Sequence, residues 1–414
     1  MKFPRSILIS LFLYVAETIL GLYLSSTYST AVHRIWLYLT LLFCLLPCLL
    51  VQICFVCFHM EFFDDRSLEH LFHLLQLGPL FRCVQVLRLY FINGKSEDPY
   101  DTLIKRKQLS EDGGWVEVER EVGRVDMLLS KHSSAFRWAS FIQAFFGSAP
   151  QLILQLYISI SQQHISLCRC MLMSISLLSV TYGALQCNIL AIRINYEDYD
   201  FTFRPAAYLC LLLWRFLEIS SRVVVLGLFS SVFKTWTLCV VALNLLAFML
   251  YSWISFWKNK SSGNNKNGLS KCRTATERAV LNILYSVTSI FCWCPIQVEL
   301  SEPDLITKSN NWCRITMYYM LRHIENAVLI FLWYIYQTDV YSLIGSTFLV
   351  ALLLVGYTIS MLFMLIFYQF LHPCRTLFTS SFVGGLKSGL KSLCCMCKPS
   401  RASKNEHGSE VCEP

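Results

Sequence analysis

The chain has 414 residues, of which 55% are hydrophobic and only 15% charged, where soluble domains carry about 25% charged residues. That leaves too little polar surface to cover soluble cores of this total size, and argues against a soluble enzyme, a disordered chain or a nucleic-acid binder. The excess of 35 Lys+Arg over 27 Asp+Glu gives a net charge of +8, whose meaning depends on where the charges sit.

A bilayer core about 30 Å thick needs about 20 apolar residues per helix. Ten stretches reach or approach that length: 7–24, 35–58, 71–92, 138–161, 169–193, 206–230, 236–257, 279–298, 315–337 and 346–371. The first contains Glu17 and lacks a small-residue cleavage site, so it reads as a retained span rather than a signal peptide. The 19 cysteines do not form an extracellular framework. Cys44, Cys48, Cys54, Cys187, Cys210 and Cys239 lie within apolar runs, where a free thiol behaves as a small soft hydrophobe. Cys54 and Cys57 have a zinc-like spacing but no second pair, so no metal or other cofactor is expected.

Cytoplasmic loops carry the Lys/Arg excess. Segment 93–137 holds eight such residues, 258–278 holds six and the tail from 372 holds six, so all three are placed inside, with both termini. If 93–137 is inside, 71–92 cannot cross. Gly78-Pro79 interrupts it at its middle, and Arg82 and Arg88 oppose full insertion. The same parity leaves 279–298, with Asn282 and the Cys292-Trp293-Cys294-Pro295 run, as a second half-inserted segment. The expectation is an all-α polytopic membrane protein: about eight transmembrane helices plus two re-entrant or half-inserted helical segments, arranged as two parallel pseudo-repeats. Residues 1–193 form the first repeat, 194–371 the second, and 372–414 a basic, cysteine-containing cytoplasmic tail.

Within 93–137, the runs Thr102–Leu109 and Trp115–Val122 flank a Gly-rich turn at Ser110–Gly114. This pattern reads either as a solvated loop or as a β-hairpin over 102–122 whose edge docks a partner. Thr102, Ile104, Gly113, Trp115 and Val118 are its candidate docking residues. In the tail, Cys394, Cys395 and Cys397 lie among lysines near the membrane and read as palmitoylation candidates or as plain thiols.

Ionisable groups inside spans are costly and normally face a bundle interior or a wet path. Glu17 lies in the first span. Arg215, Glu218 and Arg222 fall on one face of the span 206–230, and Arg322 and Glu325 on one face of 315–337. Gln143, Gln151 and Gln155 flank a break at Gly147-Ser148-Ala149-Pro150. These charges are either structural ion pairs or a polar ladder across the bilayer. A ladder of alternating sign suits a zwitterionic head group whose acyl tails stay in lipid. There is no Gly-x4-Gly-Lys-Ser/Thr run, which argues against a nucleotide-driven pump, and no His-Glu-x2-His or Gly-x-Ser-x-Gly constellation. The nine histidines are scattered; the default for each is a satisfied or interfacial role rather than a metal site.

Several long motifs resemble the XK and XK-related family of membrane proteins, and most its XK branch. They are the start MKFP, HLLQLGPLFRC (His73–Cys83), IQAFFGSAPQLILQLY (Ile142–Tyr157), YGALQCNILAI (Tyr182–Ile192), LWRFLEISSRVVVLGLF (Leu213–Phe229) and FYQFLHPC (Phe367–Cys374). The resemblance covers about residues 1–380. It implies phospholipid scrambling at the plasma membrane, with membrane phospholipids as the transported partner and the charges Glu17, Arg215, Glu218, Arg222, Arg322 and Glu325 along the lipid path. It also implies control by a chorein-type, bridge-like lipid-transfer protein, for which the 102–122 hairpin is the candidate dock. In the XK branch a cysteine of the last outer loop joins a Kell-type metalloprotease; here the corresponding residue is Gly345, and no Cys lies between Cys313 and Cys374, which argues against a covalent Kell-type partner. Some members are activated by caspase cleavage of the tail, but residues 372–414 contain no Asp. The alternatives to a scramblase are a secondary transporter of a small charged solute and a non-transporting membrane scaffold.

Overall fold

The computed structural model describes residues 5–28, 34–57, 77–93, 132–133, 136–163, 165–195, 203–261, 275–293, 312–337 and 343–372. Among them every regular element is a helix. The first half contains α1 (Arg5–Thr27), α2 (Arg34–Cys57), α3 (Gly78–Asn93), α4 (Phe136–Gln162) and α5 (Leu167–Asn195). The second contains α6 (Pro205–Phe233), α7 (Thr235–Ser261), α8 (Ala275–Phe291), α9 (Trp312–Tyr336) and α10 (Leu343–Ile366), the last continued by a π-helical turn at Phe367–Leu371. Each half therefore runs two long helices, one short, two long. The first and last long helix of each half pack on each other, α1 on α5 and α6 on α10.

Six helices are long and apolar enough to cross a membrane: α1, α2, α4, α5, α7 and α10. Helices α6 and α9, with 29 and 25 residues, are as long, but each carries three charged side chains. At 1.5 Å per residue, α3 and α8, with 16 and 17 residues, reach only about 25 Å, short of a full crossing. The chain is a polytopic, all-helical membrane protein.

Two local features take shape. Gly78-Pro79 begins α3, where the missing proline N–H costs nothing; residues 71–76, on the other side of the expected break, lie outside the described residues. Arg82, one turn later, is fully buried, with Nη1 3.0 Å from His132 Nδ1. The Gly147–Pro150 break in α4 is a π-helix over Gln143–Ser148 that returns to α-helix at Ala149. The widened turn lets α2 come close: a Cβ on Gly147 would lie 2.8 Å from Pro47 Cγ and 3.1 Å from the Phe43 carbonyl oxygen. Pro47 itself sits inside α2 and frees that i−4 carbonyl.

Helix α6 is the hub, touching α4, α5, α7, α8, α9 and α10. Trp214, Ile219, Val223, Leu226 and Phe229 on it are buried. Helix α7 lies at the edge, with Trp236, Leu238, Leu243, Leu246 and Leu250 each more than half exposed. A single residue, Lys234, joins α6 to α7 at φ 28°.

The hairpin 102–122, with Thr102, Ile104, Gly113, Trp115 and Val118, and the tail cysteines Cys394, Cys395 and Cys397 lie outside the described residues. Gly345 is exposed in the first turn of α10.

Candidate functional site

Helix α8 stops at Phe291, inside the bundle, and so presents its last carbonyls to a medium without water. Three arginines from two other helices take them. Arg322 Nη2 donates to the Ser289 carbonyl at 2.8 Å, Arg222 Nε to Ile290 at 3.2 Å, and Arg215 Nη2 to Trp293 at 2.8 Å. Tyr318 Oη also donates to Ser289, at 2.9 Å. Cations at a helix C-terminus oppose the negative end of its dipole.

Each guanidinium is in turn held by a carboxylate or amide. Arg215 Nη1 donates to Glu218 at 2.7 Å and Nη2 to Asn188 Oδ1 at 2.7 Å, while Glu218 Oε1 accepts the Trp293 backbone N–H at 3.0 Å. Arg222 does not pair with Glu218 on its own helix. It crosses to α9, donating to Glu325 at 2.8 Å and to Asn326 Oδ1 at 2.7 Å. Arg322 pairs with Glu325 one turn along α9 and donates to Asn244 Oδ1 at 2.6 Å; Asn244 Nδ2 donates back to Glu325 at 2.7 Å. Phe248 covers the Arg322 guanidinium, 4.9 Å from the ring centre.

The expected ladder is thus two linked knots around one helix end. Its three guanidinium groups face two carboxylates, a surplus of one positive charge. Several donors remain unspent: Arg215 Nε, Asn188 Nδ2, Arg322 Nε and Asn326 Nδ2 have no hydrogen-bond partner. Arg215, Glu218 and Arg222 are at most 1% exposed, but the Glu325 side chain is 24% exposed. It borders a lipid-type face, since Leu321, Ile324 and Val328 are each more than half exposed.

Glu17 is not part of this network. It is buried between α1, α4 and α5, accepting Ser148 Oγ and Ser176 Oγ at 2.6 Å each, with Ser179 3.2 Å from Ser148. A second polar line lies in the same half and reaches α2. Arg169 Nη2 donates to Tyr28 Oη at 3.4 Å, Tyr28 to Gln155 Oε1 at 3.0 Å, and Gln155 Nε2 to Thr40 at 3.5 Å. Gln151, one turn before Gln155 and 2% exposed, has no hydrogen-bond partner on either side-chain atom.

The charged residues were visible in the sequence, but Asn188, Asn244 and Asn326 were not singled out. Their signal was an amide in an otherwise apolar run, which is costly without a partner. Arg169 carried the same signal, at the edge of a span. Among the described residues, no group of His, Cys, Asp and Glu is arranged to hold a metal.

The sequence model described as XK-related protein matches residues 5–373. A relative from Pan troglodytes named endoplasmic reticulum membrane adapter protein XK is 50% identical over 400 residues, 96% of this chain and 90% of that protein. Relatives of the same name from Mus musculus and Rattus norvegicus are each 48% identical over 396 residues, 95% of this chain and 89% of theirs. With the family matched from the first described helix to the last, the chain belongs to the XK-related family.

Proposed function

We propose that the chain is a non-enzymatic phospholipid scramblase, or the membrane subunit of one, and that the network at the end of α8 lies on the lipid path. The observation that carries this reading is the combination of one surplus positive charge with four unspent N–H donors, beside a carboxylate that borders the bilayer. A phosphodiester is acceptor-rich and anionic, and matches both; the ammonium of a zwitterionic head matches Glu325. Acyl tails would remain against Leu321, Ile324 and Val328. Lipid would move down its own gradient. Glu17, which accepts from Ser148 and Ser176, is a separate rung on the other half of the bundle.

Both termini are placed on the cytoplasmic side, with 102–122 as the dock for a chorein-type lipid-transfer protein. Such a partner would deliver lipid to one leaflet and the scramblase would rebalance the two. The relatives' printed name favours the endoplasmic reticulum membrane over the plasma membrane that the family resemblance implied, and we adopt it. The same name favours a second role as an adapter, which a partner-docking loop would serve with or without transport. Reconstitution into liposomes containing fluorescent phospholipid tests the proposal. Dithionite should bleach the label in both leaflets, with and without a candidate partner compared, while a trapped solute stays inside. Bleaching of only the outer leaflet, with partner present, overturns the scramblase reading and leaves the adapter role.

A further inference from the structure

A cavity of about 270 Å³ lies among α1, α4, α5 and α8, toward the ends of α1, α4 and α5 that are placed on the cytoplasmic side. Ser6, Ser10, Gln143, Ser179, Gln186 and Tyr285 are among its lining residues. A buried water needs two to four polar partners and roughly 10–15 Å³ of room, so this cavity suits a cluster of waters. No Asp or Glu lines it, and the one charged residue on its wall, Arg137, is already engaged. Two of the wall residues, Gln143 and Ser179, also belong to the cluster around Glu17.

Glu17 is 4% exposed, and among the described residues no cation pairs with it. Arg82 and Arg88 of α3, which packs near the start of α1, form no ion pair with it. Cys44 of α2 faces it, Tyr14 lies one turn earlier on its own helix, and α4 and α5 turn Ser148, Gln143 and Ser176 toward it. A buried carboxylate without a cation is neutralised by a proton rather than left charged. The oxygen spacing agrees. Ser148 Oγ and Ser176 Oγ each stand 2.6 Å from a Glu17 oxygen, the separation of two oxygens that share a proton. A metal cation bound at roughly 2.0–2.6 Å would hold neighbouring ligand oxygens about 2.9 Å or more apart.

The cavity and the carboxylate are joined by the chain's own hydroxyls. Gln143 and Ser148 are five residues apart, which is about 140° around an α-helix. The π-helical turn over Gln143–Ser148 brings both to the Glu17 side. Ser179 Oγ, on the cavity wall, is 3.2 Å from Ser148 Oγ. A hydroxyl has one proton and two lone pairs, so Ser148 can accept from Ser179 while it donates to Glu17. The excess proton of a cavity hydronium passes to Ser179, the Ser179 proton to Ser148, and the Ser148 proton to Glu17. Each O–H bond that breaks is replaced, and water is left behind. Toward the other end of α4, Gln155 leads through Tyr28 to Arg169 at the start of α5. A guanidinium there repels a proton, which leaves the cavity as the entrance.

We propose that Glu17 is a proton-binding site, filled from the cytoplasmic side through this cavity and the Ser179–Ser148 relay. With the proton bound, anything passing this half of the bundle meets a neutral carboxylic acid and not an anion. The site requires the chain to sit in a bilayer in the stated orientation, and does not require lipid to cross.

Infrared spectroscopy of the full chain in phosphatidylcholine vesicles at neutral pH tests it. The unaltered chain should show a carboxylic-acid C=O band that shifts in heavy water and is lost in Glu17→Gln. Ser179→Val should keep the band and slow its shift at least about tenfold. If Glu17→Gln fails to fold, dicyclohexylcarbodiimide, which adds to protonated carboxyls in apolar surroundings, decides in the unaltered chain. Mapped label on Glu17 should exceed that on the arginine-paired Glu325 at least about tenfold. A band that persists in folded Glu17→Gln, or equal label on the two glutamates, overturns the proton site. A band that appears only when Na⁺ and K⁺ are removed assigns the site to a metal cation and overturns the proton as its ligand. An unchanged shift in Ser179→Val overturns the relay. For the entrance, Ser10→Cys should take an impermeant maleimide, mapped by mass spectrometry, in cells with only the plasma membrane opened. Label that needs the organelle membranes opened as well, or that never appears, overturns cytoplasmic access. Flipping is read separately by the dithionite assay, so the two proposals can fail independently.

Discussion

Arg215 and Trp293 are 78 residues apart in the chain and joined twice over. Arg215 donates to the Trp293 carbonyl at 2.8 Å, and the Trp293 N–H donates to Glu218, the carboxylate that Arg215 itself pairs with. One buried ion pair thereby satisfies both backbone groups of a residue just beyond a helix that ends inside the membrane. Glu218 and Arg215 are structural whatever else they do, and any role in lipid passage is added to that.

The first prediction follows from this geometry. Arg215→Ala leaves Glu218 buried without its cation and the Trp293 carbonyl without its donor, so it should cost roughly 3–5 kcal/mol and lower the Tm of the detergent-purified chain sharply. Arg215→Met combined with Glu218→Gln removes both charges, and the glutamine carbonyl can still accept from Trp293. The double variant should be more stable than Arg215→Ala alone. Thermal melts followed by size-exclusion chromatography make the comparison; equal loss in both would show that charge pairing is not what holds the site.

Close helix approach gives a second contrast. At Gly147 an added methyl group meets Pro47 and the rigid Phe43 carbonyl, and overpacking of this kind costs about 1–3 kcal/mol. Gly147→Ala should lower the Tm, whereas Gly356→Ala, whose added Cβ meets nothing within 4 Å, should leave it unchanged or raise it slightly.

His372 follows the last turn of α10, stacked on Tyr368 at 5.6 Å and 2% exposed. Burial pushes its imidazole down from 6.5 to about 4. A base whose folded pKa is depressed is fully stabilising above its unfolded value. Between pH 6.5 and 4 the unfolded chain takes up a proton that the folded chain refuses, so stability should fall across that window by up to roughly 3 kcal/mol and level off below it. His372→Phe should flatten the Tm-against-pH curve there. An unaltered curve would assign the acid loss to other groups.

Orientation has a covalent test. Asn259-Lys260-Ser261 is the one Asn-x-Ser/Thr sequon in the chain, at the end of α7, on the side placed in the cytoplasm. It should carry no glycan in cells, while a sequon introduced within 25–34 or 338–345 should acquire one, read as a glycosidase-sensitive mobility shift. A glycan on Asn259 would invert the topology.

The long apolar helices among the described residues and the buried charges were legible because each is a local property: run length, or a charge in an apolar stretch; the two short segments were reached through the parity of the Lys/Arg-rich loops instead. Arg215, Glu218 and Arg222 could be placed on one face from spacing alone. Their partners could not. Arg222 chooses Glu325, 103 residues away, over Glu218 four residues away, because α8 ends between α6 and α9 and draws all three arginines to its carbonyls. Nothing in the order of residues specifies that docking. For the same reason Glu17, which hydropathy grouped with the other charges, proves to lie with Ser148 and Ser176 in the other half of the bundle. The break at Gly147–Pro150 was visible as Gly and Pro, but its form as a π-turn depends on how closely Pro47 packs.

The central claim is that lipid head groups use the network bordered by Glu325. It is tested most directly by the initial dithionite bleaching rate of inner-leaflet fluorescent phospholipid in liposomes holding the unaltered chain or Glu325→Gln. That variant keeps the hydrogen-bonding shape and removes one charge. The account predicts complete bleaching with the unaltered chain and at least about a tenfold slower inner-leaflet phase with Glu325→Gln, at matched Tm and matched protein per vesicle. Equal rates, or no inner-leaflet bleaching by the unaltered chain with its partner present, would contradict it.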